Sequence, residues 1–148
     1  MVDFWNAWNG QRSLFIAYLE QDHAYLSGKV YYSAWRTDIS FPHVFAMIVE
    51  DNPEVEQWGQ ADANYKVNTR WRFTFRQLST GVPDTDVMTL VSGVGAICNT
   101  ASKNQTGANW DYVVIDNVNF HYISPDIDAG VIQEGTVDLV FRKGGVEG

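Results

Sequence analysis

Cysteine is almost absent from this chain: Cys98 is the only one among 148 residues. A single cysteine excludes an internal disulfide. Cys98 falls on the apolar side of a helical pattern, where a thiol behaves as a small hydrophobic side chain. We therefore interpret it as a packing residue and not as a reactive thiol.

Basic residues are scarce. The chain has 10 Lys and Arg against 18 Asp and Glu, which gives a net charge of −8. Binding to duplex nucleic acid depends largely on neutralising phosphates with Lys and Arg. The charge balance therefore argues against general nucleic-acid affinity and favours solubility.

Long hydrophobic runs are also missing. The longest apolar run, Val44–Val49, is far too short to span a bilayer. The amino terminus carries Asp3 and has no basic region followed by an apolar stretch, so we predict no signal peptide. We expect a protein without a membrane partner that is made and folded in a cytoplasm.

Motifs that carry chemistry are absent or incomplete. His23, His43 and His121 do not have the spacing of metal ligands, and neither HExxH nor GxSxG occurs. Asp126–Gly130 resembles a calcium loop but lacks the third acidic position and the closing glutamate. Ser92–Ala96 is rich in glycine but lies inside a helical pattern, and no Lys-Ser/Thr follows it. We predict no enzyme, and no catalytic, cofactor-binding or metal-binding residue.

The strongest pattern that is present is one long strand, Tyr65–Leu78. Apolar residues make up 45% of the chain and aromatic residues 14%, which is typical of a folded single domain over residues 1–148. A period of two over this length predicts a strand with one buried and one wet face. The predicted buried face holds Tyr65, Val67, Thr69, Trp71, Phe73 and Phe75, and the wet face holds Lys66, Asn68, Arg70, Arg72, Thr74 and Arg76.

A helix is predicted directly after this strand, over Asp84–Ala101. Asp84 or Thr85 is the expected capping residue. Ser92, Gly93, Gly95 and Ala96 would let the helix approach a neighbouring strand or a neighbouring subunit. The predicted apolar face consists of Val87, Leu90, Val91, Val94, Ile97, Cys98 and Ala101.

The remaining patterns predict one more helix and four more strands. The helix covers Asp3–Gln21, or begins near Gln11 and leaves residues 1–10 as an N-terminal arm. His43–Asp51 is apolar on both sides, which predicts a central strand covered on both faces. Asn52–Asn64 is expected to be an exposed loop or a loose hairpin. The other strands are Lys29–Trp35, Tyr112–Tyr122 and Val131–Arg142, and residues 144–148 form a frayed tail.

Side-chain phase is also predicted for the last two strands. One face of Tyr112–Tyr122 would hold Tyr112, Val114, Val118, Phe120 and Tyr122, and Val137, Leu139 and Phe141 would point inward from Val131–Arg142. The element order is α-β-β-β-α-β-β. Several links are too short for parallel crossovers, so we predict an α+β fold: a mainly antiparallel sheet of about five strands packed with two helices.

The basic stripe of the long strand, Lys66, Arg70, Arg72 and Arg76, has two interpretations. It is a strip that meets nucleic acid, or its arginines pair across the sheet with carboxylates such as Glu134 and Asp138. The aromatic residues point to the opposite face and cannot stack on bases beside the arginines, so pairing is favoured. A third possibility is pairing with acidic groups on a partner subunit.

The ordered elements resemble the tail terminator (tail-completion) proteins of long-tailed bacteriophages. The resemblance runs from about Gln11 to Arg142. It includes the opening helix, the segments Gly28–Tyr32 and Phe41–Phe45, the long strand, the helix after it and two closing strands. The Trp-rich start and the acidic loop with Trp58 depart from the family and would also suit a related neck protein.

The resemblance implies a structural virion protein in the tail or neck that forms a ring, typically a hexamer. Such a ring caps the head-proximal end of the tail tube, ends tube growth and joins tail to head. Its partners would be its own copies, the tail tube protein and a head-closure or connector protein, and DNA would pass through the lumen without specific binding. Two rivals remain: a head-closure protein of the neck, and a carbohydrate-binding domain whose cleft is lined by Trp35, Trp58, Trp71 and Trp110.

Overall fold

The α+β fold is confirmed by the structure, a computed structural model that describes residues 4–31, 40–55, 64–121 and 130–147. The two helices are α1 (Phe4–Asp22) and α2 (Pro83–Lys103), and a short 3-10 helix follows α1 at Ala24–Leu26. The strands are β1 (Val30–Tyr31), β2 (His43–Asp51), β3 (Glu54–Val55), β4 (Asn64–Leu78), β5 (Tyr112–His121) and β6 (Ile132–Glu147).

The described strands form one mixed sheet in the order β1-β2-β4-β6-β5, with β3 also paired to β4. Every pairing is antiparallel except the short parallel pair of β1 with β2. This agrees with the short predicted connections, because parallel neighbours need a longer crossover. Strand β5 ends the sheet on one side.

Strand β4 is the centre of the sheet, as its alternation predicts. It pairs with β6 from Asn64↔Glu147 to Leu78↔Ile132 and with β2 from His43↔Arg76 to Asp51↔Thr69. Its predicted inward residues are buried from Val67 to Phe75. Val137, Leu139 and Phe141 of β6 are fully buried on the same side of the sheet, which confirms the phase predicted for the last strand.

The core lies between this face of the sheet and the two helices. Phe15 of α1 is fully buried, with its ring centroid 4.7 Å from that of Phe73 and 5.7 Å from that of Phe141. Trp110 closes the same cluster, 5.0 Å from Phe141. Burying one large apolar side chain contributes about 1.5–3 kcal/mol, so these rings tie helix α1 and the sheet into one core.

Near both ends of the described chain, regular secondary structure replaces the predicted arm and the predicted frayed tail. Helix α1 includes Gly10 and begins at Phe4, so residues 4–10 are helical and do not form an arm. The ring nitrogen of Trp8 donates to the carboxylate of Asp51, which ties this part of α1 to strand β2. The frayed tail is also wrong for the described residues up to Glu147, because β6 continues there to pair with the start of β4 and buries Val146.

Two predictions about strand faces are wrong. Strand β2 is buried only in its first half, and Met47, Ile48 and Val49 are exposed. Strand β5 does not keep one alternation, because its pairing with β6 shifts between Ile115 and Asn117. Such a bulge inserts one residue and moves all later side chains to the other face.

Several predictions fall outside the described residues. These are most of strand Lys29–Trp35, most of the loop Asn52–Asn64, the side chain of Tyr122 and the segment Asp126–Ala129. Within that loop, the described residues Glu54 and Val55 pair with Lys66 and Tyr65, which agrees with the hairpin alternative.

Candidate assembly surface

Helix α2 exposes part of the apolar face that its sequence pattern predicts. Leu90, Val94, Ile97 and Ala101 are buried as expected, but Val87 is 46% exposed and Val91 is 51% exposed. With 3.6 residues per turn, Val87, Val91 and Cys98 lie along one line on the helix, at the edge of the buried stripe. The apolar stripe of α2 is therefore wider than the part of the helix that packs on the sheet, and its edge is exposed.

Strand β5 exposes apolar side chains on the side that faces the helices. Beyond the bulge, Val118 pairs with Val137 and Phe120 with Gly135, so they share the helix side of the sheet with Val113 and Ile115. Only Val113 is buried, while Ile115, Val118 and Phe120 are 37%, 37% and 48% exposed.

The position of α2 explains this exposure. A Cβ placed on Gly93 of α2 would lie 2.4 Å from the ring of Phe75 on β4. A Cβ on Gly135 of β6 would lie 2.3 Å from Val94 of α2. The helix therefore sits over β4 and β6, and strand β5 extends beyond its cover.

Together these residues form a continuous region that we call the α2–β5 surface: Val87, Val91, Cys98, Ile115, Val118 and Phe120. The ring of Phe120 and the side chain of Leu90 both lie near Gly135, which joins the strand part to the helix part. A cleft of about 330 Å³ lies at one end, between the last turn of α2 and the first residues of β5. Exposed apolar regions of this kind are typical of sites where a protein meets a partner.

A second group of exposed apolar residues lies on strand β2, across β4 and β6 from strand β5. Met47, Ile48 and Val49 of β2 are 48%, 39% and 40% exposed, and we call them the β2 surface. Met47 points to the face opposite the helices and Ile48 to the helix face, according to their partners Arg72 and Trp71. Val49 lies in a bulge before Glu50.

The face of the sheet that the described helices leave uncovered carries ion pairs. Arg72 Nε lies 2.8 Å from Asp138 Oδ1, and its second nitrogen contacts Oδ2 at 3.1 Å. Arg76 Nε lies 3.0 Å from Glu134 Oε1. The predicted pairing of the arginine stripe with Glu134 and Asp138 is therefore confirmed.

Arg70 is the most connected cation of this face. It contacts Glu50 at 3.2 Å and Asp138 at 3.6 Å, and it also bonds Asp116 of the β5 bulge. The bond to Asp116 raises the pKa of Arg70, and the bond to Asp138 raises the pKa of Arg72. Both guanidinium groups are thus held in their charged form by carboxylates of the same chain.

A mixed-charge cleft of about 370 Å³ adjoins Arg70. Three of its lining side chains are acidic and three are basic: Glu50, Glu54 and Asp116 against Lys66, Arg70 and Arg142. Their formal charges cancel. The charged side chains that line the cleft therefore carry no net formal charge.

Asp86 organises the start of α2, where Asp84 or Thr85 is the predicted cap. The residue at the N-cap position is Val82, without a side-chain cap, and Pro83 begins the helix. The buried carboxylate of Asp86 instead accepts bonds from the Ser79 hydroxyl at 2.7 Å and from the Thr80 amide and hydroxyl at 2.9 and 2.8 Å. Burial alone raises the pKa of Asp86, but these bonds outweigh it and the pKa is lowered.

His43 is the only one of the three histidines that is fully buried. Its Nδ1 lies 3.2 Å from the carbonyl oxygen of Ser40, and its Nε2 is buried without a hydrogen-bond partner. Burial lowers the pKa of His43. Among the residues that the structure describes, no three or more His, Cys, Asp or Glu side chains are grouped as metal ligands would be.

Trp71 and Trp110, the two tryptophans of the predicted sugar cleft that the structure describes, do not line a cleft. Trp71 is 4% exposed and donates to Gln11 Oε1 at 3.1 Å, and Trp110 is 1% exposed and donates to the carbonyl oxygen of Asn104 at 3.1 Å. Their faces lie in the core and cannot stack on a sugar. Trp35 and Trp58 lie outside the described residues.

Neither a protein-family model nor a curated protein matches this chain. A helix long and apolar enough to cross a membrane does not occur in the described part of the chain.

The α2–β5 surface was missed by reasoning from the sequence. The available signal was the polar pair Asp116-Asn117 between Ile115 and Val118, which interrupts an apolar strand. A break of this kind is typical of a bulge, and it would have moved Val118 and Phe120 to the side of Ile115. The exposure of Val87 and Val91 had no such signal, because it depends on where the helix crosses the sheet.

Proposed function

We propose that this protein is a structural virion subunit that forms a ring, of the kind made by phage tail terminators. The ring caps the head-proximal end of a tail tube, ends tube growth and joins tail to head. The observation that carries the proposal is the α2–β5 surface: apolar side chains exposed along an edge strand and the helix beside it. Apolar patches of this kind and open strand edges are where subunits assemble.

The element order adds support from the sequence. An opening helix, a long central strand, a following helix and two closing strands resemble the terminator family, and the described elements occur in that order. The function requires recognition and geometry, without bond chemistry. Fold likeness alone does not fix a function, so the surface carries the argument and the resemblance only directs it.

The charge of the subunit suits a ring through which DNA passes. With a net charge of −8 on each copy, a ring repels a phosphate backbone more than it binds one. This requires that part of the acidic excess faces the lumen. Replacing lumen-side acids with lysine should increase DNA retention in assembled particles, and unchanged retention would remove this part of the proposal.

The first experiment is the solution mass of the purified protein by light scattering, with electron microscopy of the same sample. Tail tubes of the same virus are then added. Rings alone, or a monomer that becomes a ring at one end of each tube, would support the terminator role. Binding to a portal-side ring instead of the tube would transfer the protein to the head-closure role, and a monomer that ignores tubes would contradict the proposal.

A further inference from the structure

We infer that the second half of β5 accepts an extended segment of a different protein as an added strand. This segment carries apolar side chains at alternate positions and a net positive charge. The contact is with a different chain, so it does not depend on whether copies of this protein form a ring. The backbone of the sheet edge, the apolar groove beside it and the charges around the groove each point to this occupant.

The backbone of β5 shows which residues face the open edge of the sheet. In an antiparallel pair, alternate residues direct their N–H and C=O groups to one neighbour or to the other. The amide of Val113 donates to the carbonyl oxygen of Gln105 at 2.9 Å and not to β6, so Val113 faces the edge, and Ile115 follows it two residues later. Among the described residues, no strand pairs with this edge of β5.

The bulge carries the same phase into the second half of β5. Val118 pairs with Val137 and Phe120 with Gly135, and these partners continue the alternation of β6 that begins opposite Ile115. Val118 and Phe120 therefore also direct their backbone groups outward and their side chains toward the helices. An added strand satisfies such a series of backbone donors and acceptors.

This half of the edge has few of the features by which proteins protect a strand edge. Such features are lysine, proline, short strands, bulges and covering segments. Tyr112–His121 contains neither lysine nor proline, and it is ten residues long. The bulge is an exception, but its carboxylate, Asp116, is bound by Arg70 of the same chain. An added strand therefore covers no lysine and no unpaired carboxylate of β5.

The exposed side chains of β5 form one wall of a groove, and α2 forms the other. Gly93 of α2 lies against β4 and Val94 lies against β6. With 3.6 residues per turn, Val87 and Val91 follow Val94 around the helix on the side of β5, where both are about half exposed. The side chains that an added strand directs toward the helices would enter this groove. Every second residue of the occupant must therefore be apolar.

The charges around the groove favour a basic occupant. Helix α2 runs opposite to β5, because Leu90 and Phe120 lie near one another and the last turn of α2 lies beside the first residues of β5. Exposed Asp84 precedes Leu90 by about 9 Å along the helix, so it stands near the end of the groove beyond Phe120. Neither α2 before Lys103 nor β5 contains a lysine or arginine. A second copy, with its net charge of −8, is repelled here, and a basic segment is attracted.

A synthetic peptide of alternating valine and threonine, with a lysine at each end, tests the inference on the full chain. Its binding, followed by NMR, should slow hydrogen exchange of the edge-facing amides of Ile115, Val118 and Phe120. A valine opposite Val118 directs its N–H to β5 and its side chain to the groove. The same peptide N-methylated at each valine should therefore not bind, and a version with glutamate ends should bind more weakly than the lysine version.

Variants of the protein locate the contact. Val118→Lys should weaken binding of the lysine-ended peptide by about tenfold or more, because the added strand would bury the new charge. Asn119→Lys is the matched control and should weaken binding far less, because Asn119 is exposed on the opposite face of the same strand. Asp84→Ala should weaken it by about 1.5- to fivefold, the range of an exposed ion pair. Circular dichroism checks folding, and Val118→Thr replaces Val118→Lys if the lysine prevents it.

The inference is overturned if the lysine-ended peptide does not bind, or binds equally well when its valines are N-methylated. Edge amides that become protected when the protein alone forms dimers or rings would assign the edge to a second copy and also overturn it. Peptide binding by a protein that ignores tail tubes supports the added strand and contradicts the terminator role. Tube capping without peptide binding has the reverse meaning.

Discussion

Gly93 of α2 lies directly against the ring of Phe75 in β4. A Cβ built on Gly93 would approach three ring carbons of Phe75 at 2.4–2.5 Å, closer than atoms pack. The glycine thus allows the helix to lie close to the sheet, and this confirms the predicted neighbouring-strand role of the small residues at this position. Gly95, two residues later, has no atom within 4 Å of an added Cβ.

Gly93→Ala should destabilise the protein by about 1–3 kcal/mol, because an extra methyl group in a packed core forces side chains or backbone to shift. Urea unfolding followed by circular dichroism measures the change. Gly95→Ala is the matched control in the same helix and should stabilise by about 0.5–1 kcal/mol, since alanine favours the helix and the site is open. Equal effects at the two positions would contradict the packing of α2 on β4.

Asp86→Ala should reduce the free energy of unfolding by about 3 kcal/mol. The substitution removes charge-assisted hydrogen bonds and leaves the Ser79 hydroxyl, which lies in a buried residue, without its acceptor. Asp84→Ala is the control, because Asp84 is exposed in the same helical turn and its charge stabilises the positive end of the helix dipole, an effect of at most about 1 kcal/mol. A loss at Asp84 as large as at Asp86 would mean that the first turn is held by general electrostatics.

The stability of the protein should fall as the pH drops below about 6.5, in part because of His43. Its folded-state pKa is lowered by burial, so the unfolded chain takes up the proton first and protonation favours unfolding. The positive charge of Arg76 also lowers the pKa of His43, and the negative charge of Glu134 partly offsets this effect. The imidazole proton shift of His43 should titrate with a midpoint below 6.5, the ordinary value.

Removing His43 should remove its share of this pH dependence. His43→Gln should flatten the stability profile between pH 7 and the folded-state midpoint, whereas His121→Gln, at an exposed position of β5, should leave it in place. A midpoint at or above 6.5 would show that water reaches the His43 ring in solution.

Arg72 and Asp138 should be energetically coupled. A double-mutant cycle with Arg72→Ala and Asp138→Ala should give a coupling free energy of about 1 kcal/mol, the upper range for cross-strand ion pairs, because two hydrogen bonds join them and the Asp138 side chain is 6% exposed. Coupling should weaken at high salt, and its absence would mean that Arg70 alone satisfies Asp138.

The regular part of the fold was predictable because it follows from local alternation. The faces of β4 and the inward residues of β6 come from a period of two, and the pairing of Arg72 and Arg76 follows from the charges opposite them. The helix cap was not predictable. Asp86 captures Ser79 and Thr80 across a turn that brings the end of β4 beside α2, and Pro83 begins the helix without a capping side chain.

For the candidate assembly surface, too, the sequence predicted one part and the tertiary structure decided the other. The sequence alone determined that α2 and β5 carry apolar stripes, because these are properties of residue spacing. Only the tertiary structure decided that Val87, Val91, Val118 and Phe120 stay exposed. That outcome depends on a one-residue bulge beside Asp116 and on α2 crossing over β4 and β6, where Gly93 and Gly135 permit close contact. Among the described residues, the second half of β5 therefore extends beyond the helix.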